Sequence, residues 1–168
     1  MADAHKDRLE RFLRRDLKDW EGLEEGCSEE DAERWLPLRP GEGSVRLGSE
    51  NVRYRFRAVD APGFHEPPRL HFRDGELRLV RTGLWSTDRA ECQRLLRDLG
   101  DPPDRTSLMF GMGEIADGEW VYTARGLALG VIPDTGLIAS VSAYPPCSMD
   151  IYIRRLHDRQ PAREFPAR

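Results

Sequence analysis

The sequence predicts an α+β protein built from two tandem helix-plus-sheet units with antiparallel strands. A helix start signal at Ser28 recurs sixty residues later at Asp88, and each is followed by a short amphipathic helix. Each helix then leads into strands of alternating polarity, which close at turn sequences around 74–75 and 133–136. Adjacent strands with helices only between the groups are typical of α+β folds. A period near sixty residues is too long for a solenoid and indicates two copies of one unit.

An amphipathic helix is predicted before the first unit, from about residue 3 to residue 20. It should end before Gly22 and pack on the sheet. Its apolar positions follow the i, i+3, i+4 spacing of one helix face; they are Leu9, Phe12, Leu13, Leu17 and Trp20.

The first unit should begin with a short helix capped by Ser28, because acidic residues fill the first turn after it. Pro37 ends this helix. Three strands are then predicted: one over 52–59 and a hairpin over 69–81 that turns at Asp74-Gly75. Segment 45–47 precedes them as a short apolar stretch, and the proline-rich segment 60–68 is predicted to be a loop.

The second unit should begin with a helix capped by Asp88 and ended by Gly100. Four strands follow at 106–110, 119–124, 127–132 and 137–144, with a glycine loop over 111–118. Ser148 caps a final short helix. The predicted divisions of one compact domain are an N-terminal helix, the first unit, the second unit, and a short helix with a polar tail; they span 1–22, 23–83, 84–146 and 147–168.

Composition restricts the class of protein. The 168 residues carry a net charge of −4 and include no apolar run near the roughly 20 residues that a membrane span needs. The charged N-terminal segment does not resemble a signal peptide, so we predict a cytoplasmic protein with no membrane association. The three cysteines show no metal or disulfide spacing, which favours free thiols.

No convergent catalytic, metal or cofactor site is predicted. His65 and His71 match no metal-ligand spacing, and we expect both on the surface, His71 on an exposed strand face. The segment 111–113 lacks a full phosphate-loop pattern and should be flexible. Cys147 immediately precedes a helix start; it is either packed or, less favoured, a reactive thiolate.

Basic residues should project together from one side of the first unit's strands, with the aromatic residues Tyr54, Phe56 and Phe72 on the opposite, buried side. They are Arg53, Arg55, Arg57, Arg69, His71, Arg73 and Arg78. One interpretation is a solvated face paired with the acidic run 16–33. The other is a partner-binding patch for an acidic protein. Nucleic acid is disfavoured, because binding through a sheet usually needs exposed aromatics beside the basic residues.

Part of the second unit resembles a known fold. The pattern comprises Ser86-Thr87-Asp88, Cys92, Leu95-Leu96, Leu99-Gly100-Asp101-Pro102, Trp120-Val121-Tyr122 and Gly126-Leu127. It resembles a unit of the β-lactamase-inhibitory-protein-like fold and is similar to the small lipoprotein of bacterial outer-membrane assembly. The match covers 86–144 and, more loosely, 28–81. It implies tandem units that bind through the sheet face. The chain lacks that group's lipid-attachment and paired cysteines, so their extracellular roles are not implied.

The leading functional hypothesis is a non-enzymatic protein-binding module: an adaptor, inhibitor or immunity-type partner that uses its sheet and the loops 60–68 and 111–118. The alternative is a small enzyme or small-molecule-binding protein with a pocket between the two units. Cys147, Tyr122, Trp120 and Asp150 are the residues considered for that pocket. The sequence leaves the oligomeric state open.

Overall fold

A computed structural model describes residues 2–83, 85–86, 88–111 and 113–158 of the chain. Thr87, Met112 and the predicted polar tail beyond residue 158 lie outside the described residues. Four α-helices are present, with the bounds α1 Ala2–Leu13, α2 Glu29–Trp35, α3 Arg89–Leu99 and α4 Met149–Arg155.

Eight strands form one antiparallel sheet, which confirms the α+β class. The strands are β1 Gly43–Leu47, β2 Val52–Ala58, β3 Arg69–Arg73, β4 Glu76–Thr82, β5 Asp104–Phe110, β6 Gly113–Tyr122, β7 Leu127–Ile132 and β8 Leu137–Ala143. Their spatial order is β1-β2-β3-β4-β8-β7-β6-β5. Helix α2 and helix α3 each precede four consecutive strands, and the two groups meet where β4 pairs with β8.

Both faces of the sheet are covered. On the first face, strand residues such as Leu70, Val80 and Leu129 join one buried cluster with residues of α1, α2 and α3. On the second face, Tyr54 and Leu79 belong to another cluster with Tyr152 and Leu156, which come from α4 and its end. The sheet therefore separates two apolar cores, and each core draws on both groups of strands.

The three predicted N-caps are present. The Ser28 hydroxyl accepts from the backbone N–H of Asp31 at 3.0 Å, and the Asp88 carboxylate accepts from Ala90 at 2.9 Å. Ser148 caps α4 by accepting from Ile151 at 3.2 Å. Each side chain satisfies a backbone donor that the first helical turn leaves free, which explains why these short helices begin where they do.

The first helix is shorter than predicted. It ends at Leu13, because Arg15 and Asp19 adopt positive φ angles of 61° and 55° that do not continue a helix. Leu17 and Trp20 are nonetheless buried, at 1% exposure each. The apolar spacing thus indicated burial correctly, but the chain turns to reach the same core without helical hydrogen bonds.

The strand count and one loop were also predicted wrongly. The first group contains four strands, since 43–47 pairs with β2 along its whole length. Most of the predicted loop 111–118 is strand, because β6 begins at Gly113 and pairs with β5 as a hairpin. The predicted loop 60–68 is irregular, as expected.

A bulge alters the first hairpin. His71 pairs with Leu79, whereas the next residue, Phe72, pairs with Leu77. An extra residue on one strand shifts which face the following side chains occupy. Leu77 accordingly joins the first core while Leu79 joins the second, although the alternating pattern had placed both on one side.

No helix among the described residues has the length and apolar character needed to cross a membrane.

Gly48 provides a test of how the β1–β2 turn packs on α4. A Cβ at Gly48 would overlap the Arg154 carbonyl, whereas one at Gly41 meets nothing within 4 Å. Both glycines have positive φ, at 73° and 91°. We expect Gly41→Ala to cost about 1 kcal/mol from backbone strain alone. Gly48→Ala should cost a further ~1–3 kcal/mol, because backbone must move.

Urea unfolding of both variants measures this difference. Equal free energies of unfolding for Gly41→Ala and Gly48→Ala would contradict the close packing of the turn.

Candidate functional site

The predicted basic face is divided between the two sides of the sheet. In the β2–β3 register Arg55 lies opposite Phe72 and Arg57 opposite Leu70, so these arginines share the first face with the helices. Phe56 lies opposite His71, which places His71 on the second face. Directly paired residues of antiparallel strands point to the same side. The prediction of a single arginine face is therefore wrong, because it assumed the opposite register for β3.

Two of the arginines on the first face are paired with α2. Arg57 donates to Glu33 at 2.8 Å, and Arg55 donates to Glu29. Both acids belong to the run 16–33, so for these residues the structure matches the solvated, acid-paired interpretation. Arg53 is exposed beside them on the same strand.

His71 is buried at 3% exposure, which corrects the expectation that it lies on an exposed face. Its ring packs on Phe56 with centroids 5.6 Å apart. Burial, with Arg81 as the next cause, lowers the pKa of His71 to about 3. The side chain is therefore a neutral core residue at physiological pH.

The remaining predicted arginines lie on or beside the second face. The Arg69 guanidinium stacks over Phe56 at 4.6 Å from the ring centroid. Arg73 and Arg78 line a cavity with Tyr54, next to α4. The seven predicted partner-binding residues are thus brought into three separate groups.

A two-stranded ribbon extends from the far edge of the sheet. β6 pairs with β7 only from Glu119 onward, whereas its pairing with β5 begins at Gly113. Residues 108–110 and 113–115 therefore pair with each other as a ribbon that β7 does not join. Phe110, near the tip of this ribbon, is 49% exposed. Among the described residues, it is the only large hydrophobic residue that is exposed. Met109 and Ile115 beside it are half-buried.

The loop 60–68 is held against the body of the protein. The Arg15 guanidinium lies 4.6 Å from the centroid of Phe64 and donates to the Gly63 carbonyl. Phe64 also packs edge-on against Trp85, at 5.9 Å. Arg15, which lies in the positive-φ turn after α1, therefore holds this loop against Trp85.

A polar cavity of about 270 Å³ opens on the second face between the two groups of strands. The first group contributes Arg69 and Arg81 to its lining, and the second contributes Glu119 and Ser140. Asp158 also lines it and accepts from Arg81 at 2.9 Å. A pocket between the units was the alternative hypothesis, but these are not the residues considered for it.

Glu119 is the most unusual ionisable group in this cavity, being only 3% exposed. The Tyr152 hydroxyl donates to its Oε1 at 2.6 Å, and His157 Nε2 lies 3.7 Å from the same oxygen. His157 Nε2 also lies 2.9 Å from the Ser107 carbonyl, which can only accept, so Nε2 carries a proton. Burial raises the pKa of Glu119, and the charges of His157 and Arg81 oppose that rise.

A second cavity, of about 350 Å³, lies along α4, from Cys147 before the helix to Arg155 at its end. Arg73, Arg78 and Arg155 line it together with Cys147, and the Tyr54 hydroxyl donates to the Arg155 carbonyl at 2.8 Å. Burial raises the pKa of the Cys147 thiol to about 11. A thiolate at Cys147 is thus disfavoured, which supports the packed interpretation of this residue.

The other residues considered for an enzymatic pocket do not converge. The Tyr122 hydroxyl donates to the Gly100 carbonyl at 2.7 Å from a buried position, and Trp120 stacks under Arg105. Asp150 is exposed and pairs with Arg154 at 3.0 Å. Within the described residues, no three His, Cys, Asp or Glu side chains are placed to hold a metal ion.

Sequence reasoning missed Glu119, because one acid on a strand that also carries Glu114 and Asp117 forms no motif. Comparison of the chain with protein-family models, curated proteins and solved structures finds no match.

The buried His71 should make the protein less stable in acid. Its folded pKa, about 3, lies below the ordinary value of 6.5. The unfolded chain therefore binds a proton first, and stability is lost as pH falls from 6.5 toward 3, by about 1.4 kcal/mol per pH unit. His71→Phe should remove this component of the slope, as measured by urea unfolding across that range. The exposed His65 serves as control, since His65→Gln should keep the wild-type slope. An unchanged slope in His71→Phe would contradict the buried, neutral state.

Tyr152→Phe should destabilise the protein by about 1–3 kcal/mol, because the buried Glu119 carboxyl loses its donor. Tyr54→Phe loses a bond to a neutral carbonyl and should cost less, about 1 kcal/mol. Chemical unfolding of the two variants gives the comparison. If Tyr152→Phe were no less stable than Tyr54→Phe, the Tyr152–Glu119 hydrogen bond would not have the role described.

Proposed function

We propose that this protein is a non-enzymatic protein-binding module, of the adaptor, inhibitor or immunity type, which contacts its partner through the β5–β6 ribbon. The observation that carries the proposal is the exposure of Phe110 near the ribbon tip, at 49%. Aromatic side chains at the centre of an interface often dominate its binding energy. Ile115 pairs with Leu108, two residues before Phe110, and so extends the apolar surface on the same side of the ribbon.

The position of the ribbon supports this choice over the predicted arginines. β2, which carries Arg53, and β5 lie six places apart in the sheet order, and the predicted arginines are divided between the two faces of the sheet. One interface therefore does not use all of these arginines. Arg55 and Arg57 are also already paired with α2. An acidic surface on the partner, which the basic residues had suggested, is therefore not part of this proposal.

We propose further that the two halves are structural copies, as in the β-lactamase-inhibitory-protein-like fold that the sequence resembles. The support is the equivalent order of elements: a capped helix followed by four strands, with the last strands β4 and β8 paired at the centre. Superposition of 28–82 on 88–143 tests this, and strands that fail to align in order would exclude it. A bacterial, cytoplasmic origin is part of the same proposal.

Photocrosslinking tests the ribbon directly. A photoreactive phenylalanine analogue at Phe110 should yield one discrete protein adduct from lysate of the source organism, because the partner covers this side chain. The same analogue at Arg53 is the matched control at the far side of the sheet. Adducts that are absent at Phe110, or identical at the two positions, would overturn the proposal.

The identified partner then allows a quantitative test. Phe110→Ala should weaken binding by roughly 30-fold, the loss expected for an interface residue worth about 2 kcal/mol. Ala116→Ser, on the same ribbon and also exposed, should leave the affinity within about twofold, because few interface positions contribute strongly. Calorimetric titration gives both values, and similar affinities for the two variants would contradict the role of Phe110.

A further inference from the structure

The cavity beside Cys147 has a basic lining that neither the fold nor the proposed interface uses. Its charged side chains are three arginines, Arg73, Arg78 and Arg155, and two acids, Glu25 and Asp74. The three arginines come from β3, β4 and α4, so distant parts of the sequence bring guanidinium groups to one concavity. These arginines surround one cavity, whereas a run of charges on a single strand lies along an exposed surface.

The acidic partners of these arginines lie toward solvent. Arg73 Nε is 3.8 Å from Asp74, and Arg155 Nε is 3.7 Å from Glu50, so neither pair has hydrogen-bond distance. The Asp74 side chain is 82% exposed. Arg78 forms an ion pair with Glu76 at 3.0 Å, and both of these side chains are also partly exposed. Exposed pairs of this type contribute little and yield readily to a stronger acceptor.

The pKa of Tyr54 indicates that the three arginine charges lie close to its hydroxyl group. Burial raises the pKa of its hydroxyl, and the positive charges of Arg73, Arg155 and Arg78 each oppose that rise. The hydroxyl itself donates to the Arg155 carbonyl, which fixes the end of α4 over the cavity. This bond joins β2 to the end of α4, where Arg155 lines the cavity together with Arg73 of β3 and Arg78 of β4.

We propose that this cavity binds a small organic oxyanion with two or more negative charges. Guanidinium groups suit such a ligand, because their planar N–H donors match phosphate and carboxylate oxygens. The volume of about 350 Å³ is that of a metabolite-sized site. Phosphate esters and polycarboxylates share the required charge and acceptor geometry.

Cys147 in the cavity wall provides a reporter of the local field. Iodoacetate and iodoacetamide alkylate a thiol by the same displacement of iodide and differ mainly in charge. Cys27 and Cys92 are buried, so modification of the folded protein reports on Cys147. The iodoacetate-to-iodoacetamide rate ratio at Cys147, followed by mass spectrometry, should fall by roughly twofold in Arg78→Gln or Arg73→Gln, the effect in water of one unit charge across a cavity about 8 Å wide. Arg53→Gln, on the other face, should keep the wild-type ratio.

Protection distinguishes the two ligand sources. Pyrophosphate and citrate, each added at constant ionic strength, should slow alkylation of Cys147 relative to chloride. Protection by pyrophosphate alone identifies a phosphate site, and protection by citrate alone a carboxylate site; protection by both indicates recognition of charge. No protection by either, or a ratio unchanged in both arginine variants while circular dichroism shows them folded, would overturn the proposal.

Discussion

The pairing of β4 with β8 is the interaction on which the rest of the structure depends. Only three residue pairs form it, Val80 with Ala143, Arg81 with Ser142, and Thr82 with Val141. These positions lie at the centre of the sheet, and Thr82 and Ser142 are buried there. Both apolar cores cross this line, so separation of the two strands would expose an unpaired edge on each half and divide each core in two.

The two faces of the sheet differ in what covers them, and this difference creates the cavities. Three helices lie over the first face, whereas α4 has seven residues and is about 10 Å long. Eight strands span roughly 34 Å. A helix of this length covers only part of the second face. The cavity with Glu119 and the cavity with Cys147 lie on this face beside α4 and the residues that follow it.

Local features were predictable from the sequence, and long-range pairings were not. Caps such as Ser28 and Asp88 depend on a few neighbouring residues, so their patterns indicated helix starts correctly. The face that His71 occupies depends on its register with Phe56, and a strand shifted by one residue exchanges its two sides. The bulge after His71 has no sequence signal of its own. The burial of Glu119 likewise depends on Tyr152 and His157, which approach from more than thirty residues away.

The contacts of α4 have a consequence for the order of events during synthesis. The turn after β1 donates its backbone N–H groups to the end of α4, from Gly48 to His157 and from Glu50 to Arg154. The Tyr54 hydroxyl reaches the Arg155 carbonyl across 101 positions of the chain. During synthesis, the early strands therefore cannot bury Leu47 and Tyr54 fully until α4 has emerged from the ribosome. Sequence separation of this size slows folding and lengthens the exposure of apolar strands. Until α4 has emerged, association of the nascent chain with chaperones or with other copies of the protein competes with folding.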